Sequence, residues 1–262
     1  MKKVAIIGGT GYGAIELIRL LHTHPKLKVT KVISHSQSGE DLSSIYPHLL
    51  EVSEIKLETL NTSKLANEVD IVFLATPAGV ASGIVPKLQD SDVQIIDLSG
   101  DLRLASQTEY EEWYNKEAAP QSTLDKSVYG LTEIYKEEVK QAQIISNPGC
   151  FPTAALLGLI PVIEAGIINP KGVVIDGKTG VSGAGRTPTA ATHFSETNDS
   201  VTPYKIGKHQ HIPEVAQYLS EVVNEKVNPT FTTHLIPMTR GLICTMYASI
   251  TKEITTAELI DK

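Results

Sequence analysis

The stretch Val4-Ala-Ile-Ile-Gly-Gly-Thr-Gly-Tyr-Gly-Ala14 decides the fold, because an apolar β-branched run passes directly into a glycine loop and then into a helical pattern. The run Lys3 to Ile7 suits a buried strand, and apolar residues then recur from Ile15 to Leu21 at helical spacing. Gly9, Gly11 and Ala14 fit the dinucleotide fingerprint, in which a pyrophosphate approaches the backbone at the start of a helix. The pattern predicts a Rossmann-type nucleotide site, with a structural tight turn as the alternative. The expected cofactor contacts are Gly8, Gly9, Thr10, Gly11, Tyr12 and Gly13.

The end of the second predicted strand, Leu27 to Ile33, indicates which nucleotide binds. NAD-binding chains usually carry an acidic residue there, which bonds to the ribose hydroxyls. This chain instead continues with Ser34-His35-Ser36 and has no acid before Glu40. The loop therefore favours NADP(H), with Ser34, His35 and Ser36 near the 2′-phosphate, although a plain serine-rich loop remains the alternative.

The first half of the chain alternates strands and helices. Further strands are predicted at Asp70 to Ala75, Val93 to Leu98 and Gln143 to Ser146, with a helix at Gly79 to Leu88. This order predicts an α/β fold with a doubly wound parallel sheet. Ligands bind at the carboxyl ends of such strands. Thr76, Pro77 and Ser99 stand there and are expected to contact the cofactor, with an ordinary polar loop as the alternative for each segment.

One cysteine stands behind a Pro-Gly turn in Ser146-Asn-Pro-Gly-Cys-Phe-Pro-Thr153. The apolar run Ala154 to Ile163 reads as a helix, so Cys150 is expected in its first turn. Unpaired amides and the positive end of the helix dipole favour a thiolate there, and could also hold an oxyanion. Cys150 is therefore the predicted nucleophile, against the alternative of an inert buried cysteine.

The pattern changes after residue 170. A strand is predicted at Gly172 to Lys178, and Phe231 to Pro237 and Leu242 to Thr251 alternate like paired antiparallel strands. A helix is predicted at Ile212 to Asn224, in a second, α+β domain. We therefore divide the chain into an NADP-binding domain, residues 1–149, and a catalytic α+β domain, residues 150–262, which Cys150 opens.

Histidine is the usual partner of a catalytic thiol. His209 and His211 lie in a polar stretch just before a predicted helix, where core packing does not account for them. Arg103, Arg186 and Arg240 are candidate anion clamps, because each follows a strand or a glycine loop and arginine binds carboxylate or phosphate bidentately. Surface ion pairs are the alternative for each arginine. No metal site is predicted, because no second His/Cys group has ligand spacing.

Composition limits the classes of partner and the compartment that the protein is expected to have. A net charge of −7 without a basic run argues against nucleic acid. No apolar stretch is long enough to predict a membrane span. The two cysteines, Cys150 and Cys244, suit a reducing compartment, so a cytoplasmic protein is expected.

Six motifs together resemble a known family. They are Asp97-Leu-Ser-Gly-Asp-Leu-Arg103, Tyr129-Gly-Leu-Thr-Glu133, Asn147-Pro-Gly-Cys-Phe-Pro-Thr153, Ser182-Gly-Ala-Gly-Arg186, His209-Gln-His-Ile-Pro-Glu214 and Pro237-Met-Thr-Arg-Gly241. In this order they resemble the N-acetyl-γ-glutamyl-phosphate reductases, which group with the aspartate-semialdehyde dehydrogenases. The chain departs from that family at His35, where an arginine is common, and at Lys262, where we expect the family's C-terminal segment to be missing.

The resemblance implies a function and roles. It implies NADPH-dependent reduction of an acyl phosphate, N-acetyl-L-glutamyl 5-phosphate, through a thioester on Cys150, in arginine biosynthesis and in a homodimer or homotetramer. His209 would be the acid/base. The implied substrate contacts are Arg103 for phosphate, Arg186, His211 and Arg240 for the carboxylate, and Asn147, while Ser182 and Gly183 would contact the cofactor.

Three other functions remain open on the residues. An aspartate-semialdehyde dehydrogenase would use the same chemistry on a shorter substrate. A thiol hydrolase or acyltransferase would use Cys150 with a histidine, but would need no dinucleotide loop. The third alternative is a non-catalytic NADP-binding protein.

Overall fold

The computed structural model describes residues 1–50, 52 and 54–260. The chain forms two compact units, Met1–Pro148 and Gly149–Lys262, and each has its own sheet.

The first unit is built on a sheet of seven parallel strands. The strands are β1 Lys2–Ile7, β2 Leu27–Ile33, β3 Leu57–Glu58, β4 Ile71–Leu74, β5 Gln94–Asp97, β6 Ser127–Tyr129 and β7 Ile144–Ser146. Their order is β3-β2-β1-β4-β5-β7-β6, which reverses direction between β1 and β4. The predicted doubly wound parallel sheet is therefore confirmed, and the reversal is where such sheets bind nucleotides.

Helices cover both faces of this sheet. They are α1 Tyr12–His22, α2 Leu42–Ile45, α3 Thr62–Glu68, α4 Ala81–Ile84, α5 Gln107–Tyr114, α6 Gln121–Leu124 and α7 Lys136–Gln141, with short 3-10 helices at Pro47–Leu49 and Val85–Lys87. Val4 and Ile6 of β1 pack in one core with the apolar face of α1, whereas Ala5 and Ile7 pack in another core with α3 and α4. Burial on both faces explains why β1 is a continuous apolar run.

The predicted helix at residues 79–88 is shorter than expected. The segment forms α4 and then the 3-10 helix Val85–Lys87. The α-helix does not continue, because Pro86 lacks an amide hydrogen and stands at the start of the 3-10 turn. The two short strands β3 and β6 were not predicted, since two or three residues carry no readable alternation.

The second unit begins with its longest helix. Its elements are α8 Cys150–Glu164, β8 Val174–Thr179, α9 Phe194–Thr197, β9 Thr202–Pro203, α10 His211–Val223, β10 Thr230–Leu235, β11 Leu242–Tyr247 and α11 Thr256–Ile260, with 3-10 helices at Val181–Ala184 and Ala190–Thr192. The four strands form a mixed sheet in the order β11-β8-β10-β9. Helices α8 and α10 pack against each other. This is the α+β arrangement that the sequence predicts.

The predicted pairing of the last two strands is wrong. β8 lies between them, parallel to β10 and antiparallel to β11. The connection between β10 and β11 therefore crosses the end of β8, where the amides of Val181 and Ser182 donate to the carbonyls of Met238 and Thr239, at 2.9 and 3.0 Å. A Cβ on Gly180 would stand 2.9 Å from the Met238 carbonyl oxygen, so the crossing needs glycine at that position.

Two features are absent from the part of the chain that the structure describes. No helix there combines the length and the apolar character that a bilayer crossing requires. Within the same ranges, no group of three His, Cys, Asp or Glu side chains could hold a metal ion.

Candidate functional site

The glycine loop after β1 fits tightly between two neighbouring strands. Gly8 has φ +84°, and a Cβ there would collide with the Ala75 carbonyl, which follows β4. A Cβ on Gly9 would collide with the side chain of Val32 in β2. The amides of Gly8 and Gly9 both donate to the Ile33 carbonyl at 3.0 Å. Only glycine permits this path of the backbone.

The start of α1 is suited to an anion. Its N-cap residue, Gly11, supplies no side-chain cap, so the amides of the first turn depend on another acceptor. A Cβ on Gly13 would meet nothing within 4 Å, so a ligand can approach there. The Thr76 hydroxyl oxygen, just beyond β4, is buried without a hydrogen-bond partner in the described part of the chain. These features fit the pyrophosphate of a dinucleotide.

The loop after β2 presents two exposed polar residues. Ser34 is buried, and its amide donates to the Glu58 carbonyl at 3.0 Å, whereas His35 and Ser36 are exposed. Of the predicted cofactor residues beyond β4 and β5, Pro77 is exposed, and Ser99 is buried and donates through its hydroxyl to Asp97 at 3.0 Å. Burial, offset in part by the bonds from Ser99, raises the pKa of Asp97 to about 6.

Asp101 organises the loop that follows β4, and sequence reasoning assigned it no role. Its buried carboxylate accepts hydrogen bonds from the amide of Gly79 at 2.7 Å, the amide of Ser82 at 3.0 Å and the hydroxyl of Tyr110 at 2.7 Å. Burial, and then the bond to Asp101, raise the pKa of Tyr110 well above its ordinary value, so it remains a donor. The only sequence signal was the position of Asp101 inside the motif Asp97 to Arg103.

Arg103 and Asn147 meet in the first unit. The Arg103 guanidinium is buried, donating from Nε to the Asn147 carbonyl and from Nη2 to the Leu98 carbonyl, both at 2.9 Å. Arg103 thus ties the end of β5 to the end of β7, and this scaffolding use was not predicted.

Cys150 is exposed and is the first residue of α8, as the sequence predicts. The N-cap residue is Gly149, which offers no side-chain cap. The Thr153 amide donates to the Gly149 carbonyl at 2.9 Å, and Pro152 has no amide hydrogen. The remaining amides of this first turn are those of Cys150 and Phe151, beside the thiol.

His209 and His211 are buried among aromatic rings, contrary to the prediction that core packing does not account for them. The two imidazole centroids are 4.7 Å apart, and the ring of Phe151, the residue after Cys150, lies 5.7 Å from His209 and 6.1 Å from His211. Phe231 of β10 closes the group at 5.5 Å from His209.

The protonation of His209 follows from its surroundings. Burial, and then the charge of Lys205, lower the pKa of His209 to about 4, so the ring is neutral at pH 7. Its Nδ1 accepts the amide of His211 at 3.1 Å, which leaves the ring hydrogen on Nε2. His209 therefore presents an N–H donor at Nε2.

Tyr204 packs beside this aromatic group. Its ring lies 5.6 Å from that of His209. Burial, and next the negative charge of a Cys150 thiolate, raise the pKa of Tyr204 to about 12. The same two causes, in the same order, raise the pKa of Cys244 in β11 to about 11. Sequence reasoning gave Tyr204 no role.

Two exposed arginines stand on loops that bond to each other. Arg186 follows the 3-10 helix Val181–Ala184, which contains Ser182 and Gly183, and Arg240 lies in the connection that crosses the end of β8. The backbone bonds between these loops bring both arginines to one end of the second sheet.

Two family models match nearly the whole chain. The semialdehyde dehydrogenase NAD binding domain matches residues 3–142, and the semialdehyde dehydrogenase dimerisation domain matches residues 150–262. Together with the fold, these matches define an oxidoreductase with a nicotinamide dinucleotide domain, and the predicted cofactor class is confirmed.

Relatives of high identity narrow the assignment. A protein of Oceanobacillus iheyensis named N-acetyl-gamma-glutamyl-phosphate reductase is 62% identical over all of this chain and 75% of the relative. A protein of the same name from Bacillus cereus strain AH187 is 48% identical over 98% of this chain and 74% of the relative. The chain therefore belongs to the semialdehyde dehydrogenase family, among its N-acetyl-gamma-glutamyl-phosphate reductases, which confirms the predicted resemblance.

Solved structures support the fold. An aspartate semialdehyde dehydrogenase II from Vibrio cholerae, complexed with ASA, aligns with a TM-score of 0.72 at 14% identity, over 100% of this chain and 78% of that one. An aspartate semialdehyde dehydrogenase with NADP from Candida albicans aligns with a TM-score of 0.67 at 14% identity, over 97% of this chain and 73% of that one.

Proposed function

We propose that the protein reduces N-acetyl-L-glutamyl 5-phosphate to N-acetyl-L-glutamate 5-semialdehyde and phosphate, with NADPH. The observation that carries the proposal is the exposed Cys150 at the first residue of α8, whose N-cap residue, Gly149, has no side chain to cap the helix. The names of the relatives at 62% and 48% identity support this choice of substrate.

The thiol performs the first step. The Cys150 thiolate attacks the acyl carbonyl, the bond to the phosphate oxygen breaks, and phosphate leaves with the electron pair and takes a proton from solvent. A thioester on Cys150 remains. The amides of Cys150 and Phe151 stand at the start of α8, so they are suited to hold the oxyanion of this step. The next two positions offer no further donor, because Pro152 has no amide hydrogen and the Thr153 amide donates to the Gly149 carbonyl.

His209 acts in the second step as a neutral hydrogen-bond donor. NADPH, when bound, supplies a hydride to the thioester carbonyl. The Nε2–H of His209 then stabilises the alkoxide form of the hemithioacetal, which collapses to the aldehyde and expels the thiolate. This collapse needs no net proton, so a ring whose pKa is lowered to about 4 is suited to it. We therefore assign His209 a donor role in place of full acid/base catalysis.

The remaining predicted residues complete the proposal. The loop Gly8 to Gly13, with Thr76, Pro77 and Ser99, would bind the dinucleotide, and His35 and Ser36 its 2′-phosphate. Ser182 and Gly183 would contact the nicotinamide end. The carboxylate contacts would be Arg186, His211 and Arg240. Arg103 would act on the phosphate mainly by orienting Asn147, since its guanidinium already binds the Asn147 and Leu98 carbonyls.

The proposal extends to the setting of the reaction. We propose a role in arginine biosynthesis in the cytoplasm, as a homodimer or homotetramer. Residues 1–149 would bind NADP, and residues 150–262 would carry catalysis and dimerisation, in agreement with the description of the second matched domain.

One assay separates the candidate functions. NADPH oxidation is followed with N-acetylglutamyl phosphate and with aspartyl phosphate, beside thioester hydrolysis without cofactor. We expect oxidation with the acetylated substrate alone, and its loss in Cys150→Ser with NADPH binding retained. Faster reduction of aspartyl phosphate would instead identify an aspartate-semialdehyde dehydrogenase, and cofactor-free hydrolysis a thiol hydrolase.

A further inference from the structure

Glu214 is a fully buried carboxylate beside the start of the nucleophile's helix. It lies in the first turn of α10, where the helix dipole favours a negative charge, and none of its surface is exposed. Its Oε1 accepts the amide of Gly149 at 2.9 Å. Burying a carboxylate is costly unless hydrogen bonds compensate it, so this position calls for an explanation.

Gly149 is the residue on which the geometry of the thiol depends. It is the N-cap of α8, with φ −65° and ψ 157°, and it directly precedes Cys150. Its carbonyl accepts both the amide and the hydroxyl of Thr153, at 2.9 and 2.8 Å. The Gly149 carbonyl is thus held by Thr153 of α8 itself. The Gly149 amide is bound by Glu214, which belongs to α10.

We propose that Glu214 is a positioning residue for Cys150: by accepting the Gly149 amide, its carboxylate fixes the peptide from which the thiol and the first amides of α8 project. The reacting sulfur must stand within a few tenths of an ångström of its productive position, because a misplacement of about 1 Å can cost roughly 100-fold in rate. The kinetic part of this inference rests on the proposed function, but the Glu214–Gly149 bond does not.

Two conservative variants distinguish the effect of side-chain length at position 214 from the effect of its charge. Glu214→Gln keeps an oxygen at the same distance along the side chain and removes the charge. Glu214→Asp keeps the charge but is one methylene shorter, so it cannot make the same bond. Ser220→Ala is the matched control, because the Ser220 hydroxyl accepts the Val227 amide at 2.9 Å on the same helix, away from the thiol.

Two measurements are made on the wild type and on each variant. Hydrogen exchange of the Gly149 amide is followed by NMR without substrate, and kcat and KM are determined for the acyl phosphate. We expect Glu214→Asp to accelerate Gly149 exchange and to lower kcat roughly 100-fold with KM nearly unchanged. Glu214→Gln should stay within about 3-fold of the wild type in both, as should Ser220→Ala.

Three results would overturn the inference. They are unchanged Gly149 exchange in Glu214→Asp, a kcat for Glu214→Gln as low as that for Glu214→Asp, and an equal loss of kcat in Ser220→Ala. A wild-type protein without reductase activity would refute the proposed function instead. In that case the exchange of Gly149 in the two variants still decides whether Glu214 holds this amide.

Discussion

The two thiols should differ strongly in reactivity towards a small disulfide such as 4,4′-dithiodipyridine. An ordinary exposed thiol of pKa ~8.5 is roughly 9% thiolate at pH 7.5, whereas a pKa of about 11 leaves roughly 0.03% thiolate at Cys244. The ratio of thiolate populations is about 300-fold. The more basic thiolate is intrinsically about 13-fold more nucleophilic, for a Brønsted coefficient near 0.45. Cys150 should therefore react at least about 20-fold faster than Cys244, before the difference in exposure is counted.

The assay follows release of the chromophore at pH 7.5 in two kinetic phases. Cys150→Ser should remove the fast phase and leave the slow one, and unfolding in denaturant should make the two thiols react at similar rates. Equal rates for both thiols in the native protein would refute the reasoning, since neither the burial of Cys244 nor the helix start at Cys150 would then control reactivity.

Three further results are expected. Introducing an acid by His35→Asp should repel a 2′-phosphate and shift preference from NADPH towards NADH, measured as the ratio of kcat/KM values; an unchanged ratio would exclude this loop from cofactor choice. His209→Asn, which keeps an acceptor for the His211 amide but loses the ring donor, should lower kcat about 100-fold, whereas His211→Ala should mainly raise KM; the reverse pattern would exchange their roles. His209 also gives the fold a pH dependence: its pKa falls from 6.5 to about 4 on folding, so the unfolded chain binds more protons between these values. Stability should be complete above pH 6.5 and fall by about 3 kcal/mol as the pH drops to 4, as measured by urea unfolding, and His209→Asn should lack this component.

Local patterns predicted the first unit well. The passage from β1 through the glycine loop to α1 is encoded within consecutive residues, because burial on both faces, the tight turn and the helix period each leave a local mark. Cys150 at the start of α8 was predictable for the same reason, since Pro148, Gly149 and the apolar run adjoin it.

Partners distant in the chain were not predictable. Alternation in the last two strands shows which side chains share a face, but not which strand lies alongside, so β8 was not placed between β10 and β11. The burial of His209 and His211 depends on Phe151 and Phe231, which no spacing connects to them. The bond from Gly149 to Glu214 likewise joins two helices that are adjacent only after folding.

The position of β8 in the centre of its sheet has a consequence for synthesis on the ribosome. In the first unit, β1 also pairs with strands that are C-terminal to it, but its first partner, β2, follows soon, with Lys2 opposite Leu27. β8, by contrast, has no partner until β10 has been made, where Val174 pairs with Thr230, and its other neighbour, β11, is later still. Long-range pairing of this kind is slow and leaves strand edges exposed in the meantime. The nucleotide-binding half is therefore expected to acquire its fold first, with the half that carries the thiol completing its sheet only as the last strands leave the exit tunnel.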